Sequence, residues 1–452
     1  MTRTRREEVL DTAFEMFAER GYRGASLNAI AERVGLTRQG VLHYFPSKEQ
    51  LLIAMLERRE QLHRQRLLVD DAKDWPDQMA EVVAHDHESP GLAQVYGVLL
   101  GESVTDGHPA QGYFRDHHAQ ARERMSRSFT ERWGDRLPSG LTPRAAATAL
   151  LALLDGMQQQ WLLDRDQTDH PEIVRDVLQV LFGTRAAHAD SPAPEAREGA
   201  RTADAPVEAE PGGSAARGAD AADGQRAAES AAGGAATAGR SRRPSRKGLE
   251  RREQILRTAL EVFAEHGDRG TSFQEIADRI GVTQPALLYY FGTREELLLA
   301  VLQKRDELGR TLARQDRDAE RNPIHAVSES VRRHMDQPGL TRLFVSLSAA
   351  ATDPGHLAHS FFANRYREVG ATLAEGLRRG QREGLMRSDE HADDMACLLL
   401  AAIDGLQIQW LMDSGKDMPG LIGTFVRLCM NRSAAEEAST ASRRNRKMLP
   451  TS

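Results

Sequence analysis

Apolar residues recur along this chain with the 3.6-residue period of an α-helix rather than the alternation of a strand. Val9, Ala13 and Phe17 stand at i, i+4 and i+8 with Leu10 and Phe14 beside them, which predicts one amphipathic helix. Gly21 and Gly24 punctuate that run, and Ser26 is placed to cap a second helix with Ala29, Ile30 and Val34 inward. Gly35 closes this helix, and Thr37 caps a third, short one over residues 37–44. Ser47-Lys48-Glu49-Gln50 has the Ser-x-x-Gln form of a capping box and opens a long fourth helix through Leu51, Leu52, Met55 and Leu56. Further helices are predicted near 92–105, 110–133, 142–164 and 171–183. The fold class is all-α.

The whole pattern occurs twice. Residues 6–60 align without a gap on residues 252–306, at a shift of 246 with about half the positions identical. Ser272-x-x-Glu275 and Thr293-x-x-Glu296 repeat the capping-box form. Pro90-Gly91-Leu92 answers Pro338-Gly339-Leu340, and Asp155-Gly156 answers Asp404-Gly405 at a shift of 249. The later helices of the second copy are expected near 339–352, 357–380, 390–413 and 418–431. Each copy is long enough to bury its own core.

Composition separates the copies. Residues 189–245 contain no Leu, Ile, Met, Phe, Tyr or Trp, and Val207 is their only branched aliphatic. Such a segment buries too little apolar surface to offset its ordering entropy, so a disordered linker is expected there. The domain reading is therefore 1–64 and 65–188 for copy 1, 189–245 for the linker, 246–310 and 311–433 for copy 2, and 434–452 for a loose tail.

The formal net charge of −6 argues weakly against a nucleic-acid partner, but it is unevenly placed. Residues 189–239 carry a net −5, whereas 240–252 carry a net +6 from Arg240, Arg242, Arg243, Arg246, Lys247, Arg251 and Arg252 against Glu250. A flexible basic arm centred on Arg242, Arg243, Arg246 and Lys247 could neutralise phosphates or enter a minor groove. The bland alternative is a soluble linker end. Arg3, Arg5 and Arg6 form a smaller version before copy 1.

A short helix, a Gly-containing turn and a second short helix, buttressed by a preceding helix, is the layout of a helix-turn-helix. Its second helix presents polar side chains to base edges while its other face anchors in a three-helix core. Copy 1 offers Thr37, Arg38, Gln39, Gly40 and His43 outward, with Val41, Leu42 and Phe45 for the core. Copy 2 offers Thr283, Gln284, Pro285, Ala286 and Tyr289, with Leu287, Leu288 and Phe291 behind. Arg and Gln suit bidentate contacts with guanine and adenine. For Arg38 the alternative is a solvated surface charge.

GLTRQGVLHYFPSKEQLL at 35–52 and GVTQPALLYYFGTREELL at 281–298 resemble the signature of the tetracycline-repressor (TetR) family of bacterial regulators. The resemblance implies that Tyr44 and Lys48, and likewise Tyr290 and Arg294, grip phosphates, with Thr37 and Thr283 at a further phosphate position. Packing in the turn is the alternative for the two tyrosines. Gln39 departs from the Gly or Pro frequent there. The resemblance also implies, in each copy, a C-terminal helical domain that encloses an effector pocket and makes a four-helix dimer interface.

On the penultimate helices, Gly156 and Gly405 allow close helix approach, and Trp161 and Trp410 supply large buried areas for an interface or for packing. The histidines His85, His87, His108, His117 and His118 lack metal-ligand spacing, and His108 and His356 read as local caps. No nucleophile triad, phosphate loop or paired-carboxylate motif stands out, so neither catalysis, a cofactor nor a metal is expected. Cys397 and Cys429 are the only cysteines, which fits a reducing cytoplasm. No apolar run of transmembrane length and no secretory leader is read in the chain. The expected activity is regulation of transcription, as an effector-released repressor on double-stranded DNA with an unidentified small-molecule effector. The two copies would form an intramolecular pseudo-dimer on an asymmetric operator. A four-headed homodimer, or a ligand sensor that has lost DNA binding, are the alternatives.

Overall fold

A computed structural model describes residues 4–67, 75–88, 90–165, 172–175, 178, 246–266, 273–318, 323–388, 391–415 and 417–430. The interior linker reading at 189–245 and the tail at 434–452 lie outside the described residues. Among the described residues the elements are helices, with one isolated bridge between Met386 and Met430.

In copy 1 these are α1 (Arg5–Gly24), α2 (Leu27–Val34), α3 (Arg38–Tyr44), α4 (Lys48–Leu67), α5 (Trp75–Glu88), α6 (Pro90–Ser103), α7 (Gln111–Trp133) and α8 (Pro143–Leu163). Residues 172–175 and 178 are also helical. Copy 2 contributes α9 (Arg246–His266), α10 (Phe273–Ile280), α11 (Gln284–Phe291), α12 (Arg294–Asp318), α13 (Pro323–Met335), α14 (Pro338–Ala350), α15 (His359–Arg382), α16 (Ala392–Met412) and α17 (Met418–Cys429). Two helices, α5 and α13, were not expected from the sequence. The α5 stretch carries polar residues on several faces, and α13 buries Val331 in a core built mainly by other helices.

The apolar face of α1 closes the first head, with Val9, Leu10, Ala13, Met16 and Phe17 all buried. The helix continues through Gly21 to Gly24 instead of ending at the first glycine. Ser26 Oγ accepts the amide N–H of Ala29 at 3.1 Å, which starts α2. Gly35 ends α2 at φ 70° and Gly281 ends α10 at φ 68°, a left-handed turn that glycine adopts without strain. The next amide then reaches back in each copy, Leu36 to the Ala31 carbonyl at 2.8 Å and Val282 to the Ala277 carbonyl at 2.9 Å. Helix α1 packs along α6, and α9 along α14, so each head rests on the first core helix of its own copy.

The two copies share their interior. Helices α8 and α16 cross at their glycines: a Cβ on Gly156 would fall on the Ala401 carbonyl, and one on Gly405 would fall on the Ala152 carbonyl. Gln409 Nε2 donates to the Thr148 carbonyl at 3.3 Å, and Cys397 Sγ, at the position equivalent to Thr148, donates to Gln160 Oε1 at 3.2 Å. Helices α6 and α14 meet where a Cβ on Gly101 would overlap that of Ala349, its own equivalent. Ser346 Oγ donates to the Gly101 carbonyl at 3.0 Å and Arg342 Nε to the Val104 carbonyl at 3.1 Å. Such reciprocal contacts, residue for equivalent residue, are the signature of a two-fold arrangement.

Helix α16 is long and apolar enough to cross a membrane by length and composition, yet 72% of its most apolar window is buried in the protein. Asp404, Gln407 and Gln409 lie along it, buried.

Candidate nucleic-acid interface and effector region

Both recognition helices anchor by one face. Val41 and Phe45 are buried beneath α3, and Leu287 and Phe291 beneath α11. Thr37, Arg38, Gln39 and His43 are exposed on the other side of α3, with Gly40 partly covered. On α11 the exposed set is Thr283, Gln284, Pro285, Leu288 and Tyr289, with Ala286 partly covered. Tyr289 is 84% exposed, the largest exposure among the large apolar side chains described. Solvent alone gives no reason for a tyrosine ring to stand there.

The two faces differ chemically. Arg38, Gln39 and His43 make α3 a hydrogen-bonding surface, whereas Pro285, Ala286, Leu288 and Tyr289 make α11 apolar beside its one amide, Gln284. The caps differ too. Thr37 Oγ1 accepts the Gly40 amide N–H at 3.0 Å, while Thr283 makes no side-chain cap bond at the start of α11, where Pro285 occupies the first turn.

Tyr44 and Tyr290 are half-buried against the head core. Each meets its neighbour edge to face, Tyr44 with His43 at 5.4 Å and Tyr290 with Tyr289 at 5.3 Å between centroids. Lys48 is engaged within the protein: its Nζ lies 4.2 Å from the centroid of the Tyr22 ring. Burial lowers its pKa, against the opposing pull of Glu102 and Glu49. Tyr22 also donates its hydroxyl to Glu49 at 2.9 Å and its amide to Glu102 of α6 at 3.1 Å, with the His108 ring edge-on at 5.2 Å. This knot ties the first head to the core, and the phosphate role expected of Lys48 would require it to leave that ring. Arg294, its equivalent, is half-buried at the start of α12.

Two of the residues expected in a flexible basic arm are helical. Arg246 and Lys247 lie in the first turn of α9, and Arg246 pairs with Glu250 at 3.0 Å. Helix formation there follows from the good helix formers through residue 257. Arg252 stacks over Phe291 and Arg6 over Phe45, both at 4.8 Å, so these two equivalent arginines fasten helix to turn. Arg242 and Arg243 lie outside the described residues.

Gly156 and Gly405 hold the crossing described above. Trp161 and Trp410, expected to serve an interface or packing, pack within the protein: Trp161 stacks on His87 of its own copy at 4.0 Å and 8°, and Trp410 is buried in the core around α16 and α17. His108 and His356 accept the amides of Ala110 and Ala358 through Nδ1, both at 3.2 Å.

The sequence did not single out the polar interior of each C-terminal domain. In copy 1, His118 Nε2 lies 2.8 Å from Asp155 and His117 Nδ1 lies 3.2 Å from Glu60. In copy 2, Tyr366 donates to Asp404 at 2.7 Å and Arg365 Nε to Asp306 at 2.7 Å. Burial pushes the Asp404 carboxyl up to about 6, against the Tyr366 hydrogen bond and the Arg365 and Arg305 charges. Burial and the neighbouring Arg365 bring Arg305 down to about 10. A cavity of about 20 Å³, bordered by both Asp155 and Asp404, lies between the copies. It holds about one water molecule.

Comparison with known sequences agrees with this architecture. Residues 9–55 and 255–301 each match the family described as "Bacterial regulatory proteins, tetR family". Residues 299–426 match "BetI-type transcriptional repressor, C-terminal". Similar proteins include the transcriptional activator FasR of Mycolicibacterium smegmatis, 47% identical over 15% of this chain and 31% of its own. The transcriptional repressor AcnR of Corynebacterium diphtheriae is 35% identical over 21% of this chain and 40% of its own. The transcriptional regulator RutR of Escherichia coli is 34% identical over 24% of this chain and 50% of its own. The matches therefore span half or less of these relatives' length. With two matches to the N-terminal domain and one to a C-terminal domain, the chain belongs to the tetR family of bacterial regulatory proteins, as two copies in tandem.

Proposed function

We propose that this chain is a transcriptional repressor of the bacterial cytoplasm that supplies both DNA-binding heads of a pseudo-dimer from one polypeptide, and that a small-molecule effector releases it. The observation that carries this reading is the reciprocal packing of Gly156 on Ala401 and Gly405 on Ala152. A crossing that a homodimer would make between chains is made here within one. The 57-residue stretch 189–245, taken as a flexible linker, has a root-mean-square span of roughly 40 Å. Two recognition helices on successive major grooves stand about 34–36 Å apart, so a tether of that length suffices. Pairing within a chain also removes the concentration dependence of a dimer.

In this reading Arg38, Gln39 and His43 read one half-site while Gln284 and Tyr289 read the other. The operator is therefore asymmetric. Thr37, Tyr44, Thr283, Tyr290 and Arg294 hold phosphates, joined by Arg242, Arg243 and Lys247 ahead of the second head. The effector changes the packing of the cores and so the spacing of the heads.

Light scattering of the protein–DNA complex together with a footprint tests this. The expected result is one chain on two unlike half-sites. Two chains on a perfect palindrome would overturn it.

A further inference from the structure

Where α6 meets α14, one position of the repeat faces itself. Gly101 and Ala349 are equivalent, and a Cβ on Gly101 would overlap that of Ala349. A residue that meets its own equivalent lies on the pseudo-two-fold axis, so in a pair of identical copies it would meet itself. Two of copy 2 packed in this way would set one Ala349 methyl onto the other, and alanine has no rotamer by which to withdraw. The crossing at Gly156 and Gly405 makes no such distinction. Ala152 and Ala401 are equivalent too, so any combination of copies preserves it.

The hydrogen bonds around the axis are one-sided as well. Ser346 Oγ donates to the Gly101 carbonyl at 3.0 Å, but the equivalent residue of copy 1 is Val98, which has no donor. Gln159 Nε2 donates to the Ser348 carbonyl at 2.7 Å, and its equivalent in copy 2 is Ile408. A pair of two copies 1 would lose the Ser346 bond and leave Gly101 facing Gly101 across a gap. A pair of two copies 2 would lose the Gln159 bond and gain the clash.

We propose that the face of copy 2 built by α14 and α16 accepts copy 1 and rejects a second copy 2, so that every DNA-binding unit carries one α3 and one α11. Ala349 is the residue that excludes, and Gly101 is the recess that admits it. Specificity of this kind comes from a clash with the wrong partner as much as from contacts with the right one. Overpacking by a methyl group that cannot rotate away shifts the choice about tenfold or more. The rule reaches further than the tether does. Chains that exchange copies at high concentration do so only as copy 1 with copy 2, and no palindrome of copy 2 half-sites is read. This consequence for DNA rests on the pseudo-dimer reading above; the choice of partner holds whether or not the two copies belong to one chain.

Cutting the tether exposes the choice. Two preparations of the full chain, tagged differently after residue 452, carry a protease site introduced between residues 189 and 245 and are cleaved after folding. They are then mixed and left to exchange. Copy 2 recovered by one tag is expected to bring copy 1 with it, and about tenfold less of copy 2 bearing the other tag. Ala349→Gly in both preparations should raise recovery of the second tag. Recovery of the second tag equal to that of copy 1, recovery of copy 2 with no partner, or no rise with Ala349→Gly would overturn the proposal. In the uncut chain, Gly101→Ala should lower the melting temperature, because it sets alanine against alanine. Gly101→Ala combined with Ala349→Gly should return most of that loss by exchanging the two roles, and no return would also count against the proposal. Sedimentation of the uncut chain keeps the two readings apart. A two-chain particle whose copy 2 still rejects copy 2 leaves the pairing rule standing and removes the single-chain pseudo-dimer.

Discussion

Gly156 lies against the backbone carbonyl of Ala401, with no space for a methyl group between their helices. Alanine is favoured over glycine in a helix by about 1 kcal/mol. Here the overlap outweighs that preference, and Gly156→Ala is expected to destabilise the chain by about 1–3 kcal/mol. Gly376 of α15 has open space at its Cβ position, so Gly376→Ala should be neutral or stabilising. Denaturant unfolding of the two variants gives opposite signs. Equal signs would remove Gly156 from the crossing.

Tyr289 is expected to contribute to DNA binding and not to folding, because it is 84% exposed on α11. Tyr289→Ala should leave the melting temperature unchanged and weaken protection of one half-site only. Arg38→Ala should weaken the other, by about 1–3 kcal/mol if it pairs with a guanine edge. Footprints on an operator with the half-sites marked separately distinguish the two heads. Loss of both half-sites equally from either variant would contradict the assignment.

The two threonine caps should differ in stability. Thr37→Ala removes a bond to the Gly40 amide and is expected to cost about 1 kcal/mol. Thr283→Ala removes no such bond and should cost less. Thermal unfolding of the full chain measures both.

Asp404 should leave a mark on the pH dependence of stability. Its folded pKa is raised by burial from 3.8 to about 6, so its contribution is fully present below about pH 4 and is lost as pH rises through 6. Asn at this position keeps an oxygen for the Tyr366 hydroxyl and abolishes the titration. The stability of Asp404→Asn relative to the unsubstituted chain is expected to rise between pH 4 and 7. His334 acts in the opposite sense, since burial holds its pKa well below 6.5, but it is common to both proteins and drops out of the difference. A flat difference over that range would mean that Asp404 ionises normally.

The repeat, the all-α class, most helices and both helix-turn-helix units were legible in the sequence, because they depend on local signals. Val9, Ala13 and Phe17 share a helix face whatever else is present, and Ser26, Thr37 and Gly35 act on backbone groups within a few residues. The exposed face of α3 follows from the same periodicity, whereas on α11 Leu288, expected behind the helix with Leu287 and Phe291, is exposed instead. What the tertiary structure alone decided depends on neighbours distant in sequence. Lys48 reads as a free cation until Tyr22 and Glu102 are brought to it. Arg305 reads as one more charge on a long helix until α13, α15 and α16 bury it. Gly156 and Gly405 were visible as places of close approach, but that each meets the other copy of the same chain is set by the packing of α8 on α16. Burial and pairing are sums over the whole packed interior, which no local periodicity records.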